Sequence, residues 1–266
     1  MLATLPTPLR RDTPRCLDAI RSANWSRAWY PATRSSKRVM TRSAQTVRCC
    51  ESNRSKRCLL YVRNQKAGSS LLYSHMSQFF PNTTCRTGLA RHPLAPVERR
   101  ARDDVVFTVV REPFDVALSA YCEVRRRQAC PRCDWTRVER FPRWCGVRPS
   151  DEFDRYLDDV RSGRFVSDEA FHSYPQTVKT LTSYRLEVVV RADALHAGLR
   201  GLAKLVGTSF VAMNATSKDR HTTRSDACCA GVRPLSSRLA ARLCALYASD
   251  FECFGFPRPA VCQSVA

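Results

Sequence analysis

Residues 57–80 read RCLLYVRNQKAGSSLLYSHMSQFF, and this stretch decides the fold. A compact apolar run with flanking charge over 57–64 predicts a short buried strand. Residues 70–80 place apolar side chains at helical spacing and stop at Pro81, which predicts a helix. The turn between them, 65–69, contains Gly68. The stretch therefore predicts a strand, a loop of the size that holds a phosphate, and a helix.

The loop carries groups that suit an anion. A helix N-terminus supplies backbone N–H donors and the positive end of a dipole. Gly68 lets the backbone approach the anion closely, Lys66 adds a point charge, and Ser69 and Ser70 add hydroxyl donors. The pattern lacks the Walker spacing G-x-x-x-x-G-K-[ST]. An ordinary strand-to-helix turn with a surface lysine is therefore an equally weighted alternative.

A second stretch, residues 103–121, reads DDVVFTVVREPFDVALSAY. Its first eight residues are typical of a parallel strand buried on both faces. Pro113 stands where a helix begins, since its missing N–H is not needed there. Arg111 would lie at the strand's carboxyl end, where open α/β sheets bind ligands, and Ser119 lies two helical turns further. Two phosphate-type sites are thus predicted on adjacent strand ends; the alternative is a capped helix N-terminus.

The rest of the chain continues the alternation. We expect a helix over 150–161 with Ser150 as a candidate cap, a strand over 185–191, a helix capped by Asp193 through Val206, and an amphipathic helix over 235–251. Strands alternating with helices predict an α/β fold around a mostly parallel sheet.

The two motifs, KAGSSLL and VVREPFDVALSAY, resemble the paired motifs of the carbohydrate sulfotransferases that use PAPS (3′-phosphoadenosine-5′-phosphosulfate), nearest to the Golgi-type group. Residues 171–176, FHSYPQ, resemble that group's H-x-x-P-Q segment, and the closing LYASDFECFGF resembles its C-terminal part. The likeness spans residues 57–257. It implies a P-loop-like three-layer sandwich and sulfuryl transfer from PAPS to a carbohydrate hydroxyl, with 3′,5′-adenosine bisphosphate as the product.

By this resemblance the 5′-phosphosulfate is held by Lys66, Ala67, Gly68, Ser69, Ser70 and Leu71. The 3′-phosphate is held by Arg111 and Ser119. Three departures bear on this. Val116 stands where the family has a second arginine, the family's membrane anchor is not found, and the insertion 128–150 is unusually rich in Cys and Arg. Lys66 is predicted to stabilise the charge that develops on the oxygen bridging sulfur and phosphate.

A general base must accept the proton of the acceptor hydroxyl, and His is favoured because its pKa lies near neutrality. We rank His92 first, His172 second and Glu98 third; for each of them a purely structural role is the stronger alternative. His75 is expected to point toward its own helix. No metal is expected.

Three parts surround the predicted motifs. Residues 1–56 are rich in Arg, Ser and Thr and predict a disordered or targeting segment, 57–257 the catalytic domain, and 258–266 a tail. Residues 128–150 form an insertion rich in Cys and Arg. Its Cys130, Cys133 and Cys145 favour a disulfide or plain thiols over zinc. Its Trp135 and Trp144 and its arginines could contact an anionic sugar chain, or form a solvated basic loop.

The net charge of +20 predicts attraction to polyanions. The expected partner is a carbohydrate, not nucleic acid. Fourteen cysteines and four N-x-S/T sequons, at Asn24, Asn53, Asn82 and Asn214, favour an oxidising compartment, and the expected location is the Golgi lumen or secretory pathway. No secretory signal or apolar span is recognised, so membrane association stays open. Two other function classes remain: a P-loop phosphotransferase, and a non-catalytic polyanion-binding protein.

Overall fold

The structure is a computed structural model that describes residues 47–87, 104–128, 149–161, 172–180, 186–213, 232 and 235–263. The chain divides into two compact units. The first holds the described residues of 41–111 and 176–220, and the second those of 112–175 and 221–266. Each unit is described by itself.

The first unit is built on a five-stranded mixed sheet. Its strands are β1 (Val47–Ser52), β2 (Cys58–Val62), β3 (Thr83–Thr87), β4 (Val105–Val110) and β5 (Val188–Arg191), in the order β3-β1-β2-β4-β5. β2, β4 and β5 are parallel neighbours, with Leu59 opposite Val105 and Val110 opposite Arg191. β1 runs antiparallel to both β2 and β3. The chain is therefore mixed α/β, and its central strands are parallel as predicted.

The helices of the first unit are α1 (Ser69–Phe79), the single turn α4 (Gln176–Thr180) and α5 (Leu195–Leu205). α1 and α5 pack on the same face of the sheet. One buried apolar cluster joins alternate residues of the sheet to α1 and α5, including Leu59, Phe107, Val190, Leu72, Met76, Leu199 and Leu202. The intervening residues of β4, Val106, Thr108 and Val110, are buried as well. Burial on both faces is the reason that β4 reads as an unbroken apolar run.

Gly198 allows α5 to approach β5 closely. A Cβ placed at Gly198 would lie 2.5 Å from the Cγ1 of Val190, so a larger residue would push the helix off the sheet. The helix starts later than predicted, because Asp193 does not cap it. A 3-10 turn over Ala192–Ala194 comes first, and Arg191 donates to the Asp193 carboxylate at 2.7 Å, which lowers the pKa of that carboxyl.

The second unit is helical in its described residues. It contains α2 (Pro113–Gln128), α3 (Pro149–Arg161), α6 (Ser237–Leu246), α7 (Ala248–Phe254) and α8 (Ala260–Gln263). The ring of Tyr121 lies 4.8 Å from that of Phe153, and Arg242 pairs with Asp154. Ser236 caps α6 by accepting from the N–H of Leu239 at 3.2 Å. The single helix predicted over 235–251 is broken at Tyr247, and Ser150 lies inside α3 rather than before it.

Described elements also lie on both sides of the predicted domain 57–257. The last residues of the basic segment 1–56 form β1, whose Cys50 is bonded to Cys85 of β3. Residues of the predicted tail form α8, which the Cys244–Cys262 disulfide holds to α6. The first described element therefore begins at Val47 and the last ends at Gln263; residues 1–46 lie outside the described part.

Candidate functional site

The loop after β2 has a backbone suited to an anion. Lys66 has φ +67° and Gly68 has φ +77°, while Ala67 between them is not left-handed. Alternating handedness turns successive N–H groups toward one side and makes an anion-binding concavity. A Cβ at Gly68 would meet nothing within 4 Å, so its backbone angle, rather than crowding, requires glycine there.

The N-terminus of α1 follows this loop directly. Gly68 is the N-cap and provides no side chain to bind the first N–H groups, and the first turn contains no acidic residue. Ser69 is buried, Ser70 is exposed, and Leu71 is half-buried against the apolar cluster. Leu71 can therefore contribute its N–H to an anion but no polar side chain. Lys66 is half-buried beside these donors.

Arg111 lies at the same edge of the sheet. It follows β4 by one residue, as Arg63 follows β2, and the two strands are parallel neighbours. The carboxyl ends of parallel strands meet at one edge, so the Lys66 loop and Arg111 share that edge. The predicted juxtaposition of the two segments is therefore present in the sheet.

Gln176 joins the two segments by hydrogen bonds. Its side-chain oxygen accepts from the N–H of Arg111 at 2.9 Å and from the Asn64 side chain at 2.8 Å. Its side-chain nitrogen donates to the carbonyl of Arg111 at 2.7 Å. Asn64 also donates to the carbonyl of Val109 at 2.8 Å. Gln176 and Asn64 are fully buried, so this network holds the loop and Arg111 in one arrangement.

Lys179 adds a buried cation beside the loop, and its local sequence does not predict this. It lies one turn after Gln176 and is only 1% exposed, and its ammonium group donates to the carbonyl of Gln65 at 3.4 Å. A cation with little water around it acts on neighbouring charge more strongly than one at the surface. A lone lysine in the turn QTVKT gives no local indication of burial, which depends on the rest of the fold.

The remaining predicted residues of the described chain belong to the second unit. Ser119 is half-buried on α2, and His172 is half-buried just before Ser173. The Ser173 carbonyl accepts from the Tyr247 hydroxyl at 2.5 Å, and its side chain is hydrogen-bonded to Tyr156, so the residue after His172 is firmly held. The roles of Ser119 and His172 stay predictions.

Glu112 and Val116 limit what α2 can bind. The Glu112 carboxylate accepts from the N–H of Asp115 at 2.8 Å and so caps this helix. An anion is not favoured where a carboxylate already satisfies the N-terminal donors. Val116 is fully buried, so this position of α2 belongs to the core and offers no polar side chain to an anion.

Several predicted residues lie outside the described chain. They include the first- and third-ranked bases, His92 and Glu98, and the cysteines of the insertion, Cys130, Cys133 and Cys145. The His75 ring is 3.2 Å from Gln78 Oε1 on its own helix, as expected. Within the described ranges, no cluster of three His, Cys, Asp or Glu residues could hold a metal ion. None of the described helices combines the length and apolarity needed to cross a bilayer.

Disulfides join Cys49 to Cys58, Cys50 to Cys85 and Cys244 to Cys262. Cys122 and Cys253 are disulfide-bonded as well. Cys262 is thus bonded to Cys244, not to its sequence neighbour Cys253. Such bonds persist in oxidising compartments, and they are compatible with a secreted or lumenal protein. No family model matches the chain, and no curated protein or solved structure matches it significantly.

Proposed function

We propose that this chain is a sulfotransferase that moves a sulfuryl group from PAPS to a hydroxyl of a carbohydrate. One observation carries the proposal: Gln176 ties the Lys66 loop and Arg111 together at the carboxyl edge of two parallel strands. A nucleotide with phosphates on both its 3′ and 5′ positions needs two anion sites on neighbouring segments. The motifs that resemble the sulfotransferases fall on these two segments.

The residues present fit such a substrate at its 5′ end. The Lys66–Leu71 segment offers backbone donors, hydroxyls and a cation, with no acidic side chain in the first helical turn. Arg111 offers a planar fork for the 3′-phosphate. In this proposal Ser119 adds a hydroxyl to the same phosphate.

The chemistry is an in-line displacement at sulfur. The acceptor oxygen forms a bond to sulfur while the bond from sulfur to the bridging phosphate oxygen breaks, and the acceptor proton passes to a base. Lys66 stabilises the negative charge on the bridging oxygen more in the transition state than in the ground state, which is the condition for rate acceleration. His92, His172 and Glu98 are the proposed bases, in that order.

The proposed compartment is the Golgi lumen or the secretory pathway. Beyond the disulfides, two of the four sequons lie in described turns: Asn53 between β1 and β2, and Asn82 after α1, both exposed. Exposed asparagines of this kind are accessible to glycosylation in the lumen.

Binding of the product nucleotide tests the proposal most directly. Thermal unfolding would be followed with 3′,5′-adenosine bisphosphate and, separately, with ATP and Mg²⁺. We expect the bisphosphate to raise the Tm in a concentration-dependent way. Stabilisation by ATP and Mg²⁺ alone would favour a phosphotransferase, and stabilisation by neither would favour a polyanion-binding protein. Transfer of radiolabelled sulfate from PAPS to carbohydrate acceptors then tests the activity.

A further inference from the structure

Two arginines stack on one tyrosine ring beside the candidate site. The guanidinium carbons of Arg48 and Arg63 lie 5.6 Å and 5.4 Å from the ring centroid of Tyr73. Arg48 also donates to the backbone carbonyl of Tyr73. Both arginines are half-buried, and within the described ranges no carboxylate forms an ion pair with either. Two like charges are therefore concentrated around one ring.

Three buried polar atoms in this cluster lack a hydrogen-bond partner among the described residues. They are the Nε atoms of Arg48 and Arg63 and the hydroxyl of Tyr61. Tyr61 is fully buried, and Arg63 is close enough for its charge to act on the Tyr61 hydroxyl. Each such donor costs about 1–3 kcal/mol when it is left unsatisfied. An oxyanion would satisfy these donors and offset the repulsion between the guanidinium groups.

The topology places this cluster apart from Arg111. Arg48 on β1 is directly opposite Tyr61 on β2, so the two side chains project from the same face. In the order β3-β1-β2-β4-β5 the loop after β2 is flanked by β1 on one side and by β4 on the other. Arg111 lies on the β4 side and the arginine cluster on the β1 side. The β1 side is thus left for a molecule other than the nucleotide.

We infer that Arg48, Arg63 and the Tyr61 hydroxyl form an oxyanion site that binds an acidic group, carboxylate or sulfate ester, of the carbohydrate acceptor. This inference rests on the proposed function, since it assigns the other side of the loop to the nucleotide. If the site binds such a group, the acceptor is an acidic oligosaccharide. The net charge of +20 favours the approach of such a chain.

The test measures binding of three oligosaccharides by calorimetry to the full chain. The probes are a heparin hexasaccharide, a hyaluronan hexasaccharide, whose charges are all carboxylates, and the carboxyl-reduced hyaluronan hexasaccharide, which is neutral. The variants are Arg63→Gln and Tyr61→Phe. Arg86→Gln is the matched control, because Arg86 is exposed on β3 and its replacement removes the same charge. Inorganic sulfate is titrated to separate a free anion from a sugar acid.

We expect at least one acidic hexasaccharide to bind. Arg63→Gln should lower the affinity for that hexasaccharide about tenfold, as for the loss of one charge-assisted hydrogen bond. Tyr61→Phe should weaken this binding several-fold, because the variant lacks the hydroxyl that would donate to the oxyanion. Arg86→Gln should change affinity less than twofold. Affinity for 3′,5′-adenosine bisphosphate should stay unchanged in all three.

Four results would overturn the inference. Arg63→Gln and Arg86→Gln could lower the affinity for the acidic hexasaccharide equally, or the neutral hexasaccharide could bind as tightly as the acidic one. The protein could also bind inorganic sulfate and neither acidic hexasaccharide, or the variants could lose affinity only for the bisphosphate. A wild-type protein that binds an acidic hexasaccharide but no bisphosphate would instead refute the proposed function. One that binds the bisphosphate but neither acidic hexasaccharide would refute this site alone.

Discussion

The side-chain oxygen of Gln176 accepts a hydrogen bond from Asn64 at 2.8 Å, and the same oxygen accepts from the N–H of Arg111 at 2.9 Å. One buried amide thus fixes the segment after β2 relative to the segment after β4. A ligand that bridges these segments meets donors already in place, which lowers the entropy lost on binding.

Replacing Gln176 by methionine tests this relationship. Gln176→Met keeps the volume but removes both the acceptor and the donor, so the N–H and carbonyl of Arg111 lose their partner. We expect the free energy of unfolding to fall by about 2–4 kcal/mol. Affinity for 3′,5′-adenosine bisphosphate should fall as well. Urea denaturation and calorimetry measure the two effects.

Gln78→Met is the control, because Gln78 is exposed on α1. Its replacement should change stability by less than about 0.5 kcal/mol. If Gln176→Met were as mild as this control, the amide network would not be what positions the two segments.

Replacing Gly68 by alanine separates backbone strain from ligand binding. Gly68 and Gly255 both have positive φ, +77° and +65°, and neither has an atom near its missing Cβ. Alanine at either position should therefore cost about 1–2 kcal/mol for the left-handed conformation. Only Gly68→Ala should also weaken binding of the bisphosphate, because Gly68 lies in the loop and Gly255 ends α7. Equal binding by both variants would contradict the assignment of the loop.

The strands and helices that flank the loops were predictable because their signals are local. β2, α1, β4 and α2 combine apolar periodicity with a glycine or proline at the boundary, and the structure has them within a few residues of the prediction. β1 and β3 were missed. VRCCES and TTCRT have no apolar run, and they are strands because they pair with neighbours and share the Cys50–Cys85 bond.

The parts of the site that were missed depend on distant partners. Gln176 is recognisable as part of an H-x-x-P-Q segment, but nothing local shows that it binds Asn64, which is 112 positions away. The burial of Lys179 and the contact of Arg48 with Tyr73 likewise depend on residues that are distant in the sequence. Burial of a charged side chain is set by the assembled sheet and helices, so single-sequence patterns cannot indicate it.

Lys179 is expected to strengthen anion binding through its charge. Lys179→Gln keeps a donor near the carbonyl of Gln65 but removes the charge. We expect affinity for the bisphosphate to fall about tenfold. The matched control is Lys204→Gln, at an exposed position on α5, which should have little effect after salt screening. Similar affinities in the two variants would show that the Lys179 charge does not act on the ligand.

The Cys50–Cys85 bond is expected to stabilise the antiparallel edge of the sheet. It closes 35 residues, for which the loss of chain entropy in the unfolded state corresponds to about 3–4 kcal/mol. The double variant Cys50→Ala, Cys85→Ala should lose a stability of this order, measured by urea denaturation without reductant. An unchanged denaturation midpoint would show that the bond contributes nothing to the stability of the edge.

Replacing Lys66 by alanine distinguishes a catalytic role of this residue from a role in binding alone. In the proposed mechanism its ammonium group stabilises charge that appears on the bridging oxygen only as the bond to sulfur breaks. Lys66→Ala should therefore lower kcat for sulfuryl transfer on the order of a hundredfold or more, while affinity for the bisphosphate falls much less. Lys204→Ala, which removes an exposed lysine of α5, should leave both quantities unchanged. Full activity in Lys66→Ala would refute the mechanism, and equal losses of kcat and of affinity would make Lys66 a binding residue only.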